Sequence, residues 1–429
     1  MKMIPKKKGR LAILGGKKAI LKKDFKKNNF IGLEEQEAAK KVIKSGVLSD
    51  FLGAWSKKFY GGYEVKRFES ACKKYFKKKY VITTNSWTSG LVCAVGALDI
   101  EPGDEIIVSP WTMCASATAI LHWNAIPVFA DIKPDTFCID PKSIKKNISK
   151  KTKAILAVDI FGQSCDIKAI NKIAKKYKLK VITDSAQAIG SKRGKKLTGT
   201  ESDIGGYSLN YHKHIHTGEG GILVTDNKNL ATRMQLIRNH AEAVVGPMGI
   251  KNINNMIGHN FRLGEIESAI GSEQIKKLTS IVKRRQIVAR RLTEGLKDLK
   301  GLEVPVISKN NTHVYYMYPL LIKKKLIKKS RKKIFNALVS EGIPGLIDSY
   351  TNLHLLPMYQ KKIAYGKRHF PWSIGRKEIT YKKGICPNAE NIEDNEFMAL
   401  MLQEFDFSNL DIDNIIYAFK KVWSEIEYL

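Results

Sequence analysis

Acidic residues are scarce in this sequence. It carries 41 Asp and Glu against 74 Lys and Arg, a formal net charge of +33. That balance excludes an acidic solvating chain and turns attention to anionic partners: nucleic acid, a membrane surface or small anions. The densest basic runs are Lys6–Arg10, Lys22–Lys27, Lys145–Lys153 and Lys323–Lys333, and none is interleaved with aromatics in a stacking pattern. No zinc-knuckle spacing and no RNP-like strand accompany them. They read as a lysine-rich solvated surface, so no nucleic-acid partner is expected. Metal-type spacing is also missing. The six cysteines, Cys72, Cys93, Cys114, Cys138, Cys165 and Cys386, include no CxxC pair and no Cys/His cluster, which excludes a zinc module and suits free thiols in a reducing compartment. Long apolar runs are lacking too. The best, Ala115–Ala130, is interrupted by His122, Asn124 and Pro127, so no membrane span is expected. The opening MKMIPKKKGRLAIL is charged but has no sustained apolar region, which argues against a secretory signal and for a cytoplasmic protein. There is no internal repeat and no low-complexity linker.

What is present is ordinary globular material. Hydrophobic residues make up 43% of 429, enough for a large core and, at this length, for two domains. From about residue 65 to 225 short apolar runs alternate with helical patterns. The expected strands are Tyr80–Thr84, Glu105–Ser109, Ile126–Ala130, Ala154–Asp159, Val181–Asp184, Ile204–Ser208 and Gly221–Thr225. Helices are expected from Thr88 to about Leu98, up to Trp123, over Pro141–Ile148 and over Ile167–Lys178. This alternation predicts an α/β domain with a mostly parallel sheet, whose sites gather at the carboxyl ends of strands. One long basic helix is expected around Gly264–Arg291. Beyond it, a strand over Thr312–Lys323 and helices over Ser330–Glu341 and Ile412–Leu429 predict a smaller α+β domain. The expected division is an N-terminal segment 1–60, a large domain 61–285 and a small domain 286–429.

Three places could carry chemistry. In SLNYHKHIHTGEGGILVTD, Ser208–Asp226, Lys213 sits in a His-flanked loop before Gly218-Glu219-Gly220-Gly221. A desolvated lysine is a nucleophilic amine, although a lone lysine in a lysine-rich chain is ordinarily a surface residue. Asp184 ends the VITD run. An acid at a strand's carboxyl end is a ligand-binding candidate or, equally, a helix N-cap. The turn Thr83-Thr84-Asn85-Ser86-Trp87-Thr88-Ser89-Gly90 follows a strand and opens a helix. It suits a phosphate and is also compatible with a plain capping box. A lysine, a carboxylate and a phosphate grip together are what pyridoxal phosphate requires, with the carboxylate facing the pyridinium nitrogen.

Taken in order, these segments resemble the DegT/DnrJ/StrS family of sugar aminotransferases. The resemblance runs from about Leu11 to the C-terminus. It rests on GGYEVKRFE (Gly61–Glu69), NSWTSGL (Asn85–Leu91), PGDEIIV (Pro102–Val108), PVFADI (Pro127–Ile132) and DSAQAIGS (Asp184–Ser191). It continues through TGEGG (Thr217–Gly221), GHNFRLGEIESAIG (Gly258–Gly271) and CPNAE (Cys386–Glu390). The resemblance implies the aspartate aminotransferase fold (fold type I) and a pyridoxal 5'-phosphate cofactor. It implies that Lys213 holds the cofactor and shuttles the proton, that Asp184 pairs with the ring nitrogen, and that Gln187 lies near the phenolic oxygen. Ser86, Trp87, Thr88 and Ser208 would hold the phosphate. Asn260 would reach the phosphate of the neighbouring subunit, so a homodimer with a shared site is implied. His354 and Tyr350 resemble substrate-side residues.

Some positions depart from the family pattern. Trp87 stands where Gly is common. Met113 takes the place of the aromatic that usually covers the cofactor ring, with Trp111 the other candidate. His216 replaces a small hydroxyl residue, and Ser185 an Ala. Family members that dehydrate sugars carry His in place of the lysine. Here Lys213 holds that position, five residues after Ser208, with His212 and His214 beside it as loop residues. Transamination is therefore favoured: from an amino acid, L-glutamate, to a nucleotide-linked keto sugar of surface-polysaccharide (lipopolysaccharide-type) biosynthesis. The other readings are a cyclitol (inosose) aminotransferase, a keto-sugar dehydratase, and a regulatory or nucleic-acid-binding protein on the same fold. The loops Ala241–Asn255 and Tyr359–Thr380 are the expected carriers of substrate choice.

Overall fold

The computed structural model describes residues 11–429, so the basic run Lys6–Arg10 lies outside the described residues. Seven strands form the central sheet: β1 (Tyr80–Thr84), β2 (Glu105–Val108), β3 (Ile126–Phe129), β4 (Thr152–Val158), β5 (Lys180–Asp184), β6 (Ile204–Ser208) and β7 (Gly221–Thr225). Their order is β1-β7-β6-β5-β4-β2-β3. The pairs β6/β5, β5/β4, β4/β2 and β2/β3 are parallel, while β7 runs antiparallel to both its neighbours. β1 therefore points the same way as β6, and the carboxyl ends of six strands share one edge with the start of β7. The expected α/β class with a mostly parallel sheet is what is found.

Strands buried on both faces read as continuous apolar runs, and β2 (EIIV) and β3 (IPVF) are fully buried. Alternate residues feed two cores. Ile82 and Leu223 join the larger one, whereas Val81, Ile222 and Val224 pack under α1 (Tyr63–Phe76) and α5 (Glu265–Leu296). Further helices of this layer include α2 (Trp87–Gly96), α3 (Ala115–His122) and α4 (Ile167–Tyr177), with Lys228–Arg238 packed in the same core. Helix α5 spans 32 residues and runs unbroken through residues 285 and 286. Its first half lines the core beneath α1. Its last turns, Ala289, Leu292 and Leu296, enter a separate core around a second, antiparallel sheet.

That second sheet has the order β8-β9-β11-β10, with β8 (Leu302–Glu303), β9 (Tyr318–Ile322), β10 (Leu346–Ile347) and β11 (Phe397–Leu400). Helices Arg331–Ser340 and Asn409–Ser424 cover it. Two further chain segments complete these cores. Leu11 and Ile20 pack in the second core, where buried Glu341 accepts from the Ala12 and Ala19 N–H groups at 2.8 Å each. Residues Tyr359, Trp372 and Tyr381 return to the first core, and Tyr381 Oη donates to the Pro127 carbonyl of β3 at 2.8 Å. The Thr312–Lys323 expectation shortens to Tyr318–Ile322: residues 312–317 lie outside the sheet, and of them Tyr316 and Met317 line the cavity described next.

Candidate active site

Each functional side chain sits at or just past the end of a strand. β1 delivers Ser86, Trp87 and Thr88, β2 delivers Thr112 and Met113, β4 ends at Val158, β5 at Asp184 and β6 at Ser208. Together with Gln187, Lys213 and Tyr350 they line one cavity of about 260 Å³. The loop between β6 and β7 closes on itself, with the Thr217 N–H on the Leu209 carbonyl at 3.0 Å and the Leu209 N–H on the Gly220 carbonyl at 2.9 Å. This presents Lys213 half-buried on the cavity wall.

Electrostatics follow from that placement. Burial pushes the Lys213 amine down to about 8, against the opposing pull of the Asp184 and Glu219 carboxylates. Its Nζ stands 4.3 Å from the centre of the Tyr316 ring. Asp184 is buried and held by three donors. Trp87 Nε1 and the Ala186 N–H reach Oδ1 at 2.7 and 3.1 Å, and Ser116 Oγ reaches Oδ2 at 2.7 Å. Gln187 accepts from the Phe161 N–H at 2.8 Å and donates from Nε2 to Tyr350 Oη at 3.1 Å. Burial, followed by the Lys213 charge, pushes His212 down to about 4, so it is a neutral wall residue.

The turn before α2 is an anion cradle. Ser86 caps the helix by accepting from the Ser89 N–H at 3.0 Å. The first N–H groups of a helix have no intrahelical acceptor. Those of Trp87 and Thr88 find none elsewhere among the described residues, and both residues line the cavity together with Ser208. Free N–H donors at a positive helix end, a buried carboxylate and an amine near neutrality form a donor set that fits pyridoxal phosphate.

Of the residues singled out from sequence, Ser86, Trp87, Thr88, Met113, Asp184, Gln187, Ser208, Lys213 and Tyr350 come together here. Two do not. Asn260 is exposed and pairs with Asn239 outside this cavity, its carbonyl accepting from Asn85 Nδ2 at 3.4 Å. His354 is 0% exposed and bonds Glu390 Oε1 through Nε2 at 2.9 Å, so the substrate-side expectation does not suit its position. Between Met113 and Trp111, Met113 lines the cavity. Trp111 is buried behind it, stacked on Tyr350 at 5.8 Å. His214 is also buried, its Nε2 on the Val314 carbonyl at 2.8 Å, and it does not reach the cavity. Sequence reasoning missed Thr112, Asn210, Glu219, Tyr316 and Met317. The run YYMY before β9 was the available signal for two of them, since alternation alone reads it as strand.

The chain matches the DegT/DnrJ/EryC1/StrS aminotransferase family over residues 41–393. The spore coat polysaccharide biosynthesis protein SpsC of Bacillus subtilis is 30% identical to it, over 84% of this chain and 92% of its own. GDP-perosamine synthase of Escherichia coli O157:H7 is 33% identical over 74% and 84%. The structure of Helicobacter pylori PseC, an aminotransferase involved in the biosynthesis of pseudoaminic acid, superposes with a TM-score of 0.76 at 26% identity. It covers 94% of this chain and all of that one.

Proposed function

The chain belongs to the DegT/DnrJ/EryC1/StrS aminotransferase family and is a pyridoxal-phosphate-dependent aminotransferase, and on that premise we propose that it transfers the amino group of L-glutamate to a nucleotide-linked keto sugar used in a surface polysaccharide. The observation that carries this reading is Lys213: an amine brought to about 8 in a cavity that also holds Asp184 and a free helix N-terminus. A lysine there suits transamination rather than dehydration. GDP-perosamine synthase among the relatives supports a nucleotide-linked acceptor, and the spore-coat relative supports a polysaccharide destination.

Bound in this cavity, pyridoxal phosphate supplies an aldehyde that takes up an amine and a ring that withdraws electrons as the adjoining carbon loses its proton. The chain's residues do the rest. Lys213 Nζ would hold the cofactor and, once freed, move a proton between the substrate carbon and the cofactor's C4′ in each half-reaction. Asp184 would pair with the ring nitrogen and keep it protonated, and Gln187 would lie near the phenolic oxygen. Ser86, Ser208 and the Trp87 and Thr88 N–H groups would hold the phosphate, and Met113 would cover the ring. Tyr350 lies on the substrate side. Asn260 serves the neighbouring site of a homodimer working in the cytoplasm. The positive chain draws in the anionic sugar nucleotide.

The test is an absorption spectrum of the protein with pyridoxal phosphate, before and after L-glutamate, beside Lys213→Ala. The reading expects glutamate to convert the bound pyridoxal form to the pyridoxamine form, and Lys213→Ala to form no covalent adduct. A wild-type protein that takes up no cofactor, or an adduct that ignores glutamate, overturns it.

A further inference from the structure

Trp87 is the only aromatic residue in the hydroxyl-rich turn 83–90, and its indole faces inward at 5% exposure. Its Nε1–H donates to Asp184 Oδ1 at 2.7 Å. On the other carboxylate oxygen, fully buried Ser116 donates from Oγ at 2.7 Å, and the Ala186 N–H adds a third bond at 3.1 Å on Oδ1. An ionised carboxylate has about four acceptor sites, so these three donors leave one for a ligand.

Two glycines form the seat of this indole. A Cβ on Gly206 would fall 2.1 Å from both Cη2 and Cζ3 of Trp87, and one on Gly90 would fall 2.7 Å from Cε3. Neither glycine stands at a positive φ. Left-handed backbone therefore does not account for them. The indole crowds both positions, and at Gly206 the Ile222 carbonyl oxygen, 2.4 Å from such a Cβ, adds to it. The chain has built a site for this side chain, from β6 on one side and α2 on the other.

We infer that Trp87 is a positioning residue for Asp184. Its indole N–H holds the carboxylate in one orientation and keeps the remaining acceptor site for the cofactor's ring nitrogen, an inference that rests on the role proposed above for Asp184. The same residue's backbone N–H belongs to the anion cradle. Trp87 thus ties the phosphate end of the site to its carboxylate end through one rigid ring. A residue with no side chain at this position does only the first of these tasks.

The bond can be tested without cofactor. In the ¹H–¹⁵N spectrum of the cofactor-free protein, the Trp87 indole resonance is identified by its loss in Trp87→Phe. It is expected to exchange slowly with solvent and to shift in Asp184→Asn, whereas half-exposed Trp55 does neither. A Trp87 resonance that exchanges like that of Trp55, or that ignores Asp184→Asn, overturns the inference. The role is then read from the dissociation constant and visible circular dichroism of bound pyridoxal phosphate. Trp87→Phe should weaken binding about tenfold, as expected when a hydrogen bond to a charged group is lost. Benzothienylalanine at position 87 keeps the ring's shape and replaces the N–H by sulfur, so it separates the bond from the bulk. The same tenfold loss with a reduced dichroic signal supports the inference, and wild-type binding by the sulfur variant overturns the positioning role alone. A wild-type protein that binds no pyridoxal phosphate overturns the functional reading, and this role with it.

Discussion

At Lys213 two effects oppose each other, and burial wins. The amine is brought from 10.5 to about 8, while the Asp184 and Glu219 carboxylates pull it back up. Amine-selective labelling of the cofactor-free protein should therefore rise through about pH 8 at this residue. In Asp184→Asn the midpoint should move lower, because a stabilising charge is gone. The sign for stability is also set. The folded value lies below the unfolded one, so between about 8 and 10.5 the unfolded chain binds the extra proton. The charged amine costs stability below that window, and the cost is relieved as pH rises through it. Urea midpoints of the cofactor-free protein should show this rise, and Lys213→Met should remove it. His354 gives the opposite kind of test. It is buried against Glu390, and burial holds its imidazole below the usual range. His354→Ala should lower stability by about 2 kcal/mol, through a lost buried hydrogen bond and a cavity, and leave the KM values for both substrates unchanged.

At the scale of elements, the strands were legible because burial on both faces demands uninterrupted apolar residues. Tyr80–Thr84, Ile204–Ser208 and Gly221–Thr225 match the expectation to the residue. Elements without such a pattern were missed: the helices Leu33–Ser45 and Lys228–Arg238, and the strand Phe397–Leu400. The last is an inner strand of a sheet assembled from chain segments about 75 residues apart, and no local pattern announces that pairing. Glycines in strands show the same limit. Gly206 reads as a weak point of β6, yet the Trp87 ring fills the space its side chain would occupy. Gly206→Ala should displace the indole and destabilise the protein by about 1–3 kcal/mol, the usual range for overpacking. Thermal unfolding measures the cost, and the Trp87 indole resonance reports the displacement.

At the scale of the molecule, α5 serves two cores, the N-terminal segment 11–28 packs in the second, and the segment 353–390, between two strands of the second sheet, packs in the first. The cavity wall adjoins the second sheet directly, since Tyr316 and Met317 lead into β9. The net charge of +33 acts over the same distances. If it steers an anionic sugar nucleotide, kcat/KM for that acceptor should fall as salt shortens the Debye length from about 10 Å at 0.1 M to about 3 Å at 1 M. The glutamate half-reaction, measured alone, should fall less, because the donor carries less charge. Stopped-flow spectra over a salt series separate the two.

By itself the sequence determined the α/β class, the approximate positions of the central strands and the residue types of the site, because apolar periodicity and short polar motifs are local properties of the chain. Lys213, Asp184, Ser208 and the Ser86–Thr88 turn could be named from it for that reason. Tertiary structure decided which side chains meet. It placed Tyr316 and Met317 on the cavity wall, buried His354 and Trp111 away from it, and set the Trp87 indole on Asp184 across 97 residues. Those outcomes depend on packing between segments far apart in the chain, where a ring fits or fails to fit by fractions of an ångström, and no spacing along the sequence encodes that fit.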